Sequence, residues 1–249
     1  MKYLFPRLLQ MLSRFSSSFF ILFLLAGTAS AQVETDQPLR MVIVGDSTVC
    51  HYPTNSVRRG WGMFIQDYFN SSQLQVVNLA LSGRSTKTFI KEGHWGAALK
   101  EKPAYVLIQF GHNDSHSPEK PEATDAKTTY REYLRKYIDD ARAIGARPVL
   151  ITPMCRRNFG PDGRIRNTLL PYADAMKIVA KEKRVPLVDL NALSVELCNK
   201  LGKEACNGLA NDPSDETHFN AKGAKEMARL VMQQLPVAEP SLKQFEIAH

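Results

Sequence analysis

Residues 39–48 read LRMVIVGDST, an apolar run with β-branched residues at its centre that ends on Gly-Asp-Ser. A continuous apolar run of this length predicts a strand that is buried on both faces. Four more such runs follow, at residues 74–80, 104–111, 148–152 and 186–190. Helical patterns lie between and after these runs, at residues 61–70, 124–144, 169–183 and 221–235. The alternation predicts an α/β fold with a five-stranded parallel sheet covered by helices on both faces, a three-layer α/β/α sandwich.

The first 31 residues have the pattern of a secretory signal peptide. Three basic residues precede the apolar run FFILFLLA at residues 19–26, and Ala29-Ser30-Ala31 supplies the small residues that a signal peptidase requires. The apolar run is shorter than the roughly 20 residues that span a bilayer. We therefore expect residues 1–31 to be removed and residues 32–249 to form a single domain. The mature protein is expected in the periplasm or the extracellular space, without a membrane anchor.

The charge balance argues against nucleic acid as a partner. The chain has 32 Lys and Arg against 25 Asp and Glu, which gives a formal net charge of +7. The signal segment has three basic residues and no acidic one, so its removal lowers the net charge to +4. The sequence has no Lys/Arg block and no aromatic residues interleaved with basic ones, which a nucleic-acid-binding surface would need.

Four cysteines follow the signal segment: Cys50, Cys155, Cys198 and Cys206. An exported protein can keep disulfides, and the short spacing favours a Cys198–Cys206 pair. A second bridge, between Cys50 and Cys155, is a weaker alternative. No cysteine spacing indicates a zinc site, and the neighbouring histidine is badly placed to activate Cys50 as a nucleophile.

Chemically distinctive residues follow three of the predicted strands and precede the last helix. In open parallel sheets, the functional groups gather at the carboxyl ends of the strands. We therefore expect four loops to converge on one rim of the sheet. These loops are Gly45-Asp46-Ser47-Thr48, Ser82-Gly83-Arg84-Ser85, Gly111-His112-Asn113-Asp114 and Asp215-Glu216-Thr217-His218-Phe219.

These four segments, in this order, resemble the four sequence blocks of the SGNH hydrolases. The individual residues in and around these blocks are similar to those of the rhamnogalacturonan acetylesterases, carbohydrate esterase family twelve. They include Gly60-Trp61-Gly62, Asn78-Leu79-Ala80, Gly83-Arg84-Ser85-Thr86, Gln109-Phe110-Gly111-His112-Asn113-Asp114 and Thr217-His218-Phe219. The resemblance implies the flavodoxin-like fold of the SGNH hydrolases, no cofactor, and removal of acetyl groups from acetylated pectin or a related plant polysaccharide.

Ester hydrolysis requires a nucleophile, a base, a group that orients the base, and donors for the oxyanion. Ser47, at a strand-to-helix turn, is the candidate nucleophile, and His218 is the candidate base. Asp215, three residues earlier on the same loop, can hold the other ring nitrogen. The chain has no G-x-S-x-G motif, which argues against an α/β-hydrolase elbow.

Three groups are candidates for the oxyanion hole: the backbone N–H of Ser47, the backbone N–H of Gly83, and the side-chain amide of Asn113. We interpret the glycine at position 83 as permitting a close approach of the backbone to the reacting carbonyl. Asp46, next to the nucleophile, is interpreted as a structural residue of the turn, not as the acid of the triad. Ser82 and Ser85 are weaker candidates for the nucleophile, because serines are common beside a tight glycine turn.

His112 to His116 places two imidazoles and a carboxylate close together, but a loop of this spacing gives them no shared face, and we expect no metal. His112 and Asp114 are instead expected to orient the loop of Asn113. The candidate substrate-binding residues are Arg84, Trp61, His112 and Arg156, although an aromatic residue at the start of a helix, such as Trp61, is more often part of the core. The basic residues Arg58, Arg59, Arg84, Arg156, Arg157, Arg164 and Arg166 follow predicted strands, where guanidinium groups could bind galacturonate carboxylates.

The leading hypothesis is therefore a monomeric, secreted polysaccharide O-acetylesterase. An SGNH lipase, lysophospholipase or thioesterase would use the same residues and would differ only in its acyl pocket. A carbohydrate-binding protein that keeps the fold without the chemistry is the third alternative, and the complete set of catalytic residues argues against it.

Overall fold

The structure, a computed structural model, describes residues 37–247. The predicted signal segment lies outside the described residues, so its removal and the start of the domain at residue 32 stay predictions. Within the described residues, no helix is both long enough and apolar enough to cross a membrane.

Five strands form one sheet: β1 (Leu39–Gly45), β2 (Leu74–Asn78), β3 (Tyr105–Gln109), β4 (Arg147–Ile151) and β5 (Leu187–Val188). All pairs are parallel, and the strand order is β2-β1-β3-β4-β5. The predicted α/β fold with a five-stranded parallel sheet is confirmed. Because the strands run in the same direction, the loops after β1, β2 and β3 leave the same edge of the sheet.

Six α-helices lie in the described part of the chain: α1 (Thr86–Lys91), α2 (His94–Lys100), α3 (Thr129–Ala143), α4 (Leu170–Lys183), α5 (Leu190–Asn207) and α6 (Ala221–Ala238). The sequence pattern predicts α3, α4 and α6 but misses the other three. Both α1 and α2 are too short to show a clear apolar period, with 6 and 7 residues. In α5 the period is broken at Gly202, whose φ of +76° interrupts the helix.

Two predicted helices differ from the structure. Residues 61–70 form short 3₁₀ turns instead of an α-helix, at Trp61–Phe64 and Gln66–Tyr68. Helix α3 begins at Thr129 instead of near residue 124. The side chain of Asp125 accepts hydrogen bonds from the two backbone amides at residues 127 and 128, which closes a turn before the helix can start.

The core occupies both faces of the sheet. On β1, Met41 and Ile43 belong to the cluster that contains α6, the start of α5 and the 3₁₀ turns, whereas Val42 and Val44 belong to the cluster formed with α1 to α4. These four side chains have no solvent exposure. The alternation follows from the two-residue period of a strand, and it accounts for the three layers.

Cys198 and Cys206 form a disulfide with a Cα–Cα distance of 5.3 Å, which agrees with the favoured pairing. The weaker alternative, a second bridge between Cys50 and Cys155, is wrong because both cysteines are free and buried. Cys50 lies in the turn after β1, whereas Cys155 packs beside the disulfide. The two free thiols thus belong to separate parts of the interior.

Truncation of one buried side chain on β3 should measure how much the packing of the central strand contributes to stability. Ile108 has no solvent exposure, so Ile108→Ala should lower the free energy of unfolding by about 2–5 kcal/mol in urea denaturation. Ile178 on α4 is 47% exposed, and Ile178→Ala provides the matched control with a change below about 1 kcal/mol. Equal losses in the two variants would contradict this assignment of the core.

Candidate active site

Ser47 lies in the turn that follows β1, an interior strand of the sheet between β2 and β3. The backbone amides of Val49 and Cys50 both donate to the carbonyl of Asp46 (3.1 Å each), which closes one helical turn around Ser47. The Tyr52 hydroxyl donates to the Ser47 carbonyl (2.8 Å). The backbone of Ser47 is therefore fixed by its neighbours in the chain.

Three side chains from the two ends of the described chain meet at this turn. His218 Nε2 lies 2.9 Å from Ser47 Oγ, and His218 Nδ1 lies 2.9 Å from Asp215 Oδ2. A serine hydroxyl is a poor nucleophile until a base takes its proton, and a carboxylate on the far ring nitrogen holds that base in the correct tautomer. The structure thus brings together the residues predicted as nucleophile, base and orienting acid.

Asp215 is held mainly by its own loop. Its Oδ1 accepts hydrogen bonds from the backbone amides of Thr217 and His218 (2.8 Å each), and its Oδ2 accepts one from the side-chain amide of Asn211 (3.0 Å). Burial acts to raise the pKa of Asp215, but the amides of His218 and Thr217 and the imidazole outweigh it and lower the pKa. An ionised Asp215 keeps the proton on His218 Nδ1, so that Nε2 can accept the proton of Ser47.

Three hydrogen-bond donors remain for an oxyanion. Gly83 has a φ of +78°, and a Cβ at this position would meet no atom within 4 Å, so the backbone angle is what requires glycine here. Asn113 Nδ2 donates to the carbonyl of Arg84 (3.0 Å), which leaves its second N–H for a ligand. Within the described residues, the backbone N–H groups of Ser47 and Gly83 have no hydrogen-bond partner.

Asp114 ties the loop of Asn113 to the start of α1. The carboxylate is fully buried and accepts hydrogen bonds from the hydroxyls of Thr86 and Thr124 and from the amide of Thr86 (3.2 Å). Thr86 lies three residues after Gly83, so Asp114 connects two of the loops that carry oxyanion donors. Burial raises the pKa of Asp114 to about 6, although these hydrogen bonds act to lower it.

Asp46 has the structural role predicted from its place in the turn. Its Oδ1 accepts hydrogen bonds from the amide (2.9 Å) and the hydroxyl (2.7 Å) of Thr48. The Thr48 hydroxyl lies 3.3 Å from Gln109 Nε2, at the end of β3. A polar network therefore holds the nucleophile turn to the neighbouring strand, and Asp46 is not the acid that faces the base.

The interpretation of Trp61 as a substrate contact is wrong. The side chain has no solvent exposure, and its Nε1 donates to Gln109 Oε1 (2.8 Å) below the nucleophile turn. Glycines on both sides allow this burial, because a Cβ on Gly60 or Gly62 would lie within 2.7 Å of the Val49 backbone. The sequence left core and sugar platform open, and the structure places the ring in the core.

The interpretation of His112 as a substrate contact is also wrong. The residue is 2% exposed, and in the described part of the chain neither ring nitrogen has a hydrogen-bond partner. Its Nδ1 lies 3.4 Å from Asp46 Oδ2. Burial lowers the pKa of His112, and the Asp46 carboxylate only partly offsets this effect. His112 instead lies in the loop after β3, with its ring beside Asp46 of the loop after β1.

The model of the GDSL-like lipase/acylhydrolase family matches residues 43–226, which include every residue of this arrangement. The chain belongs to this family. It is an SGNH hydrolase, and its enzyme class is carboxylic ester hydrolase. The family predicted from the four sequence blocks is therefore confirmed.

Two curated relatives of this esterase come from Bacillus subtilis. "Probable rhamnogalacturonan acetylesterase YesY" is 39% identical over 213 residues, which cover 81% of this chain and 97% of YesY. "Rhamnogalacturonan acetylesterase RhgT" is also 39% identical, over 210 residues that cover 78% of this chain and 88% of RhgT. These two relatives confirm the resemblance to rhamnogalacturonan acetylesterases that the sequence motifs predict.

Solved structures show the same fold. The crystal structure of the Bacillus subtilis protein YxiM superposes with a TM-score of 0.72 at 30% identity, covering 81% of this chain and 57% of YxiM. The structure of an acetylxylan esterase from Geobacillus stearothermophilus superposes with a TM-score of 0.64 at 20% identity. The match covers 80% of this chain and 94% of the acetylxylan esterase chain. At that identity the second match shows the fold alone.

Two arginines predicted to bind substrate have partners within the protein. Arg84 Nε donates to Glu92 Oε2 (2.8 Å) and its Nη1 donates to the Ser82 carbonyl (2.9 Å). Arg156 Nη2 donates to the carbonyl of His112 (3.0 Å). Both guanidinium groups hold loops of the site in place, and a role in substrate binding for either stays a prediction.

Arg157, which no sequence motif singles out from the neighbouring arginines, holds the loop of the base. The residue is 3% exposed, and its Nη2 donates to the carbonyls of Asp215 (2.6 Å) and His218 (2.7 Å). The guanidinium carbon lies 4.5 Å from the centre of the Phe219 ring. Burial lowers the pKa of Arg157 to about 10, so the side chain stays charged at neutral pH. No sequence pattern distinguishes this buried arginine from an exposed one.

Groups of three or more His, Cys, Asp or Glu side chains arranged to hold a metal are absent from residues 37–247. His116 contacts Glu122 (2.6 Å) at the surface, and His112 is enclosed beside Asp46. The two imidazoles of the His112–His116 segment therefore have different surroundings.

Loss of the Arg157 guanidinium should lower kcat strongly and still leave a folded protein. Arg157→Met removes both hydrogen bonds to the loop of the base, and a shift of about 1 Å in a catalytic group can cost about 100-fold in rate. We expect kcat on a nitrophenyl ester to fall by about that factor, while near-UV circular dichroism shows a folded protein. Arg164→Met, in an exposed residue of the following loop, serves as the control and should retain kcat. A kcat of Arg157→Met within two-fold of the wild type would contradict this role.

The raised pKa of Asp114 predicts a pH-dependent stability. Its folded value of about 6 lies above the ordinary value of 3.8, so the folded protein holds this proton more tightly than the unfolded chain does. The contribution of Asp114 to the free energy of unfolding is therefore greatest below pH 4, and it falls by about 3 kcal/mol as the pH rises through 6. Asp114→Asn lacks this titration. Urea denaturation at pH 4 and pH 7 should show wild type losing stability relative to the variant, and parallel profiles would rule the effect out.

Proposed function

We propose that this chain is a secreted serine esterase that removes O-acetyl groups from acetylated rhamnogalacturonan or a related plant polysaccharide. The observation that carries the proposal is the pair of 2.9 Å contacts that links Ser47 through His218 to Asp215. The names of the Bacillus subtilis relatives support the acetyl group and the polysaccharide. A curated relative from Emericella nidulans is also named a rhamnogalacturonan acetylesterase, at 29% identity.

The proposed reaction has two steps. In the first, His218 Nε2 takes the proton of Ser47 as Oγ attacks the acetyl carbonyl, and the negative charge that develops on oxygen is stabilised by the N–H groups of Ser47, Gly83 and Asn113. The carbon–oxygen bond to the sugar breaks, and the sugar hydroxyl leaves with the proton from His218. In the second, His218 Nε2 takes a proton from water as the water oxygen attacks the carbonyl of the acetyl-Ser47 ester. The bond between that carbonyl carbon and Ser47 Oγ then breaks, acetate leaves, and His218 returns the proton to Oγ.

We propose export to the periplasm or the extracellular space as the setting of this reaction. The signal-peptide pattern of residues 1–31 supports export, and the Cys198–Cys206 disulfide is compatible with an oxidising compartment. A plant polysaccharide is too large to cross the cytoplasmic membrane, so an enzyme that acts on it must be exported from the cytoplasm. Amino-terminal sequencing of the exported protein would be expected to begin at Gln32.

Acetate release from a panel of acetylated polysaccharides tests the proposed function. Ser47→Ala should abolish release, and Asn113→Ala should lower kcat by about 10²–10³-fold through the loss of one oxyanion donor. Ser82→Ala is the matched control, since Ser82 is an exposed serine next to the same site, and it should retain turnover. Release that survives Ser47→Ala, or is lost in the control, would refute the assignment of the nucleophile.

The acyl-chain preference separates an acetylesterase from a lipase of the same family. Nitrophenyl acetate and nitrophenyl dodecanoate present the same leaving group with a short and a long acyl chain. The proposed function predicts a higher kcat/KM for the acetate ester. A preference for the dodecanoate ester would favour the lipase or thioesterase alternative.

A further inference from the structure

Residues 52–59 form a loop between the nucleophile turn and the first 3₁₀ turn, called the bridging loop below. At its start, the Tyr52 hydroxyl donates to the carbonyl of Ser47 (2.8 Å). Just after its end, the amide of Trp61 donates to the carbonyl of Thr48 (3.0 Å). The bridging loop therefore leaves the nucleophile turn and returns to it.

The bridging loop also contacts the loop of the base. The amide of Arg59 donates to the carbonyl of Phe219 (2.9 Å), the residue after His218, and the two backbones form an antiparallel bridge. Arg58 Nη2 lies 3.4 Å from Asp215 Oδ2, but its side chain is 44% exposed, and exposed ion pairs contribute little to stability. The backbone hydrogen bond of Arg59 is thus the firmer of the two contacts.

The Arg59 guanidinium holds the bridging loop in one shape. Its Nη2 donates to the carbonyl of Thr54 (3.1 Å), and its Nη1 donates to the carbonyl of Arg58 (2.7 Å) and to that of Ser56. A planar guanidinium presents its N–H donors in fixed directions, so the carbonyls bound to it cannot move independently. The side chain at position 59 therefore stiffens the segment that its own amide ties to Phe219.

The Tyr52 hydroxyl acts on the backbone of the nucleophile, which lies between two peptide planes. The first plane is held through the Asp46 carbonyl, which accepts two backbone amides of the turn. The second plane is held through the amide of Thr48, which donates to Asp46 Oδ1 (2.9 Å), and through the Ser47 carbonyl, which Tyr52 binds. Burial and the neighbouring Cys50 raise the pKa of Tyr52, so its hydroxyl keeps the proton that it donates. With both planes held, the direction of the Cα–Cβ bond of Ser47 is fixed.

We propose that the bridging loop sets the distance between Ser47 Oγ and His218 Nε2, and that Tyr52 and Arg59 are its positioning residues. The inference rests on the proposed function, in which Ser47 is the nucleophile. It traces the 2.9 Å contact between nucleophile and base to a segment that carries neither of them. A displacement of about 1 Å in a reacting group can cost about 100-fold in rate, so turnover is sensitive to small movements of this loop.

Turnover of nitrophenyl acetate tests the bridging loop, because this small ester does not need a polysaccharide-binding surface. Tyr52→Phe keeps the ring and removes the hydroxyl, and Arg59→Gln removes the guanidinium and keeps the backbone amide. Each should lower kcat by at least about ten-fold and leave KM within about two-fold, because the nucleophile is displaced while ground-state binding is unchanged. Tyr133→Phe, in a half-buried residue of α3, and the exposed Arg164→Gln are the matched controls and should keep the wild-type kcat.

A nitrophenyl phosphonate ester gives a readout that a change in stability alone does not move. Ser47 Oγ attacks the phosphorus, nitrophenolate leaves, and the serine proton passes to His218, so the rate reports the serine–histidine contact. Both variants should react more slowly by the same factor as kcat falls, while urea denaturation shows that they are folded. In the double variant, kcat should stay within about three-fold of the worse single variant, because both changes act through one loop.

The inference is overturned if kcat of either folded variant falls by less than about ten-fold, or if the two losses multiply in the double variant. A wild-type rate with the phosphonate, or an equal loss in a control, also overturns it. Tyr52→Phe decides alone if Arg59→Gln does not fold. An inactive Ser47→Ala beside a fully active Tyr52→Phe overturns the bridging loop alone. Turnover that survives Ser47→Ala overturns the proposed function, and the bridging loop with it.

Discussion

The hydrogen bond between His218 Nε2 and Ser47 Oγ joins residues that are 171 positions apart, and the rest of the site depends on it. A parallel sheet makes this contact achievable, because the ends of β1, β2 and β3 lie at one edge. The sheet alone does not fix the distance. The turn around Ser47 is closed by the Asp46 carbonyl, and the loop of His218 is held from beneath by Arg157. Two loops with separate anchors are thus placed within one hydrogen bond of each other.

The features that could be predicted from sequence are those that a short local pattern determines. Apolar runs of buried strands identify four of the five strands closely, and Asp215 and His218 are only three residues apart in a loop that precedes a helix. Helices α1 and α2 are missed because one or two turns show too little periodicity, and α5 because Gly202 interrupts it. The reason predicted for a glycine at position 83, a close approach of the backbone, was also incomplete. The φ of +78° that requires glycine is a property of the folded backbone.

Errors at the site have a common cause, which is that residue type does not determine burial. Trp61, His112 and Arg157 all have side chains suited to binding a polysaccharide, and all three are enclosed by the protein. Each is buried with a neighbour distant in sequence: Gln109 for Trp61, Asp46 for His112, and the carbonyl of His218 for Arg157. Such pairings arise only in the folded chain. The identity of the nucleophile does not depend on them, but the shape of the binding surface does.

The turn at Asp215 makes the acid and the base a single local module. One carboxylate accepts the amides of Thr217 and His218 and the imidazole of His218, all within four consecutive residues. Their relative geometry survives any movement that carries the loop as a unit. Ser47 belongs to a different loop, so small relative displacements of the two loops act on the serine–histidine distance alone. The serine–histidine distance therefore depends on what ties the two loops together, and the backbone hydrogen bond from the amide of Arg59 to the carbonyl of Phe219 (2.9 Å) is one such contact.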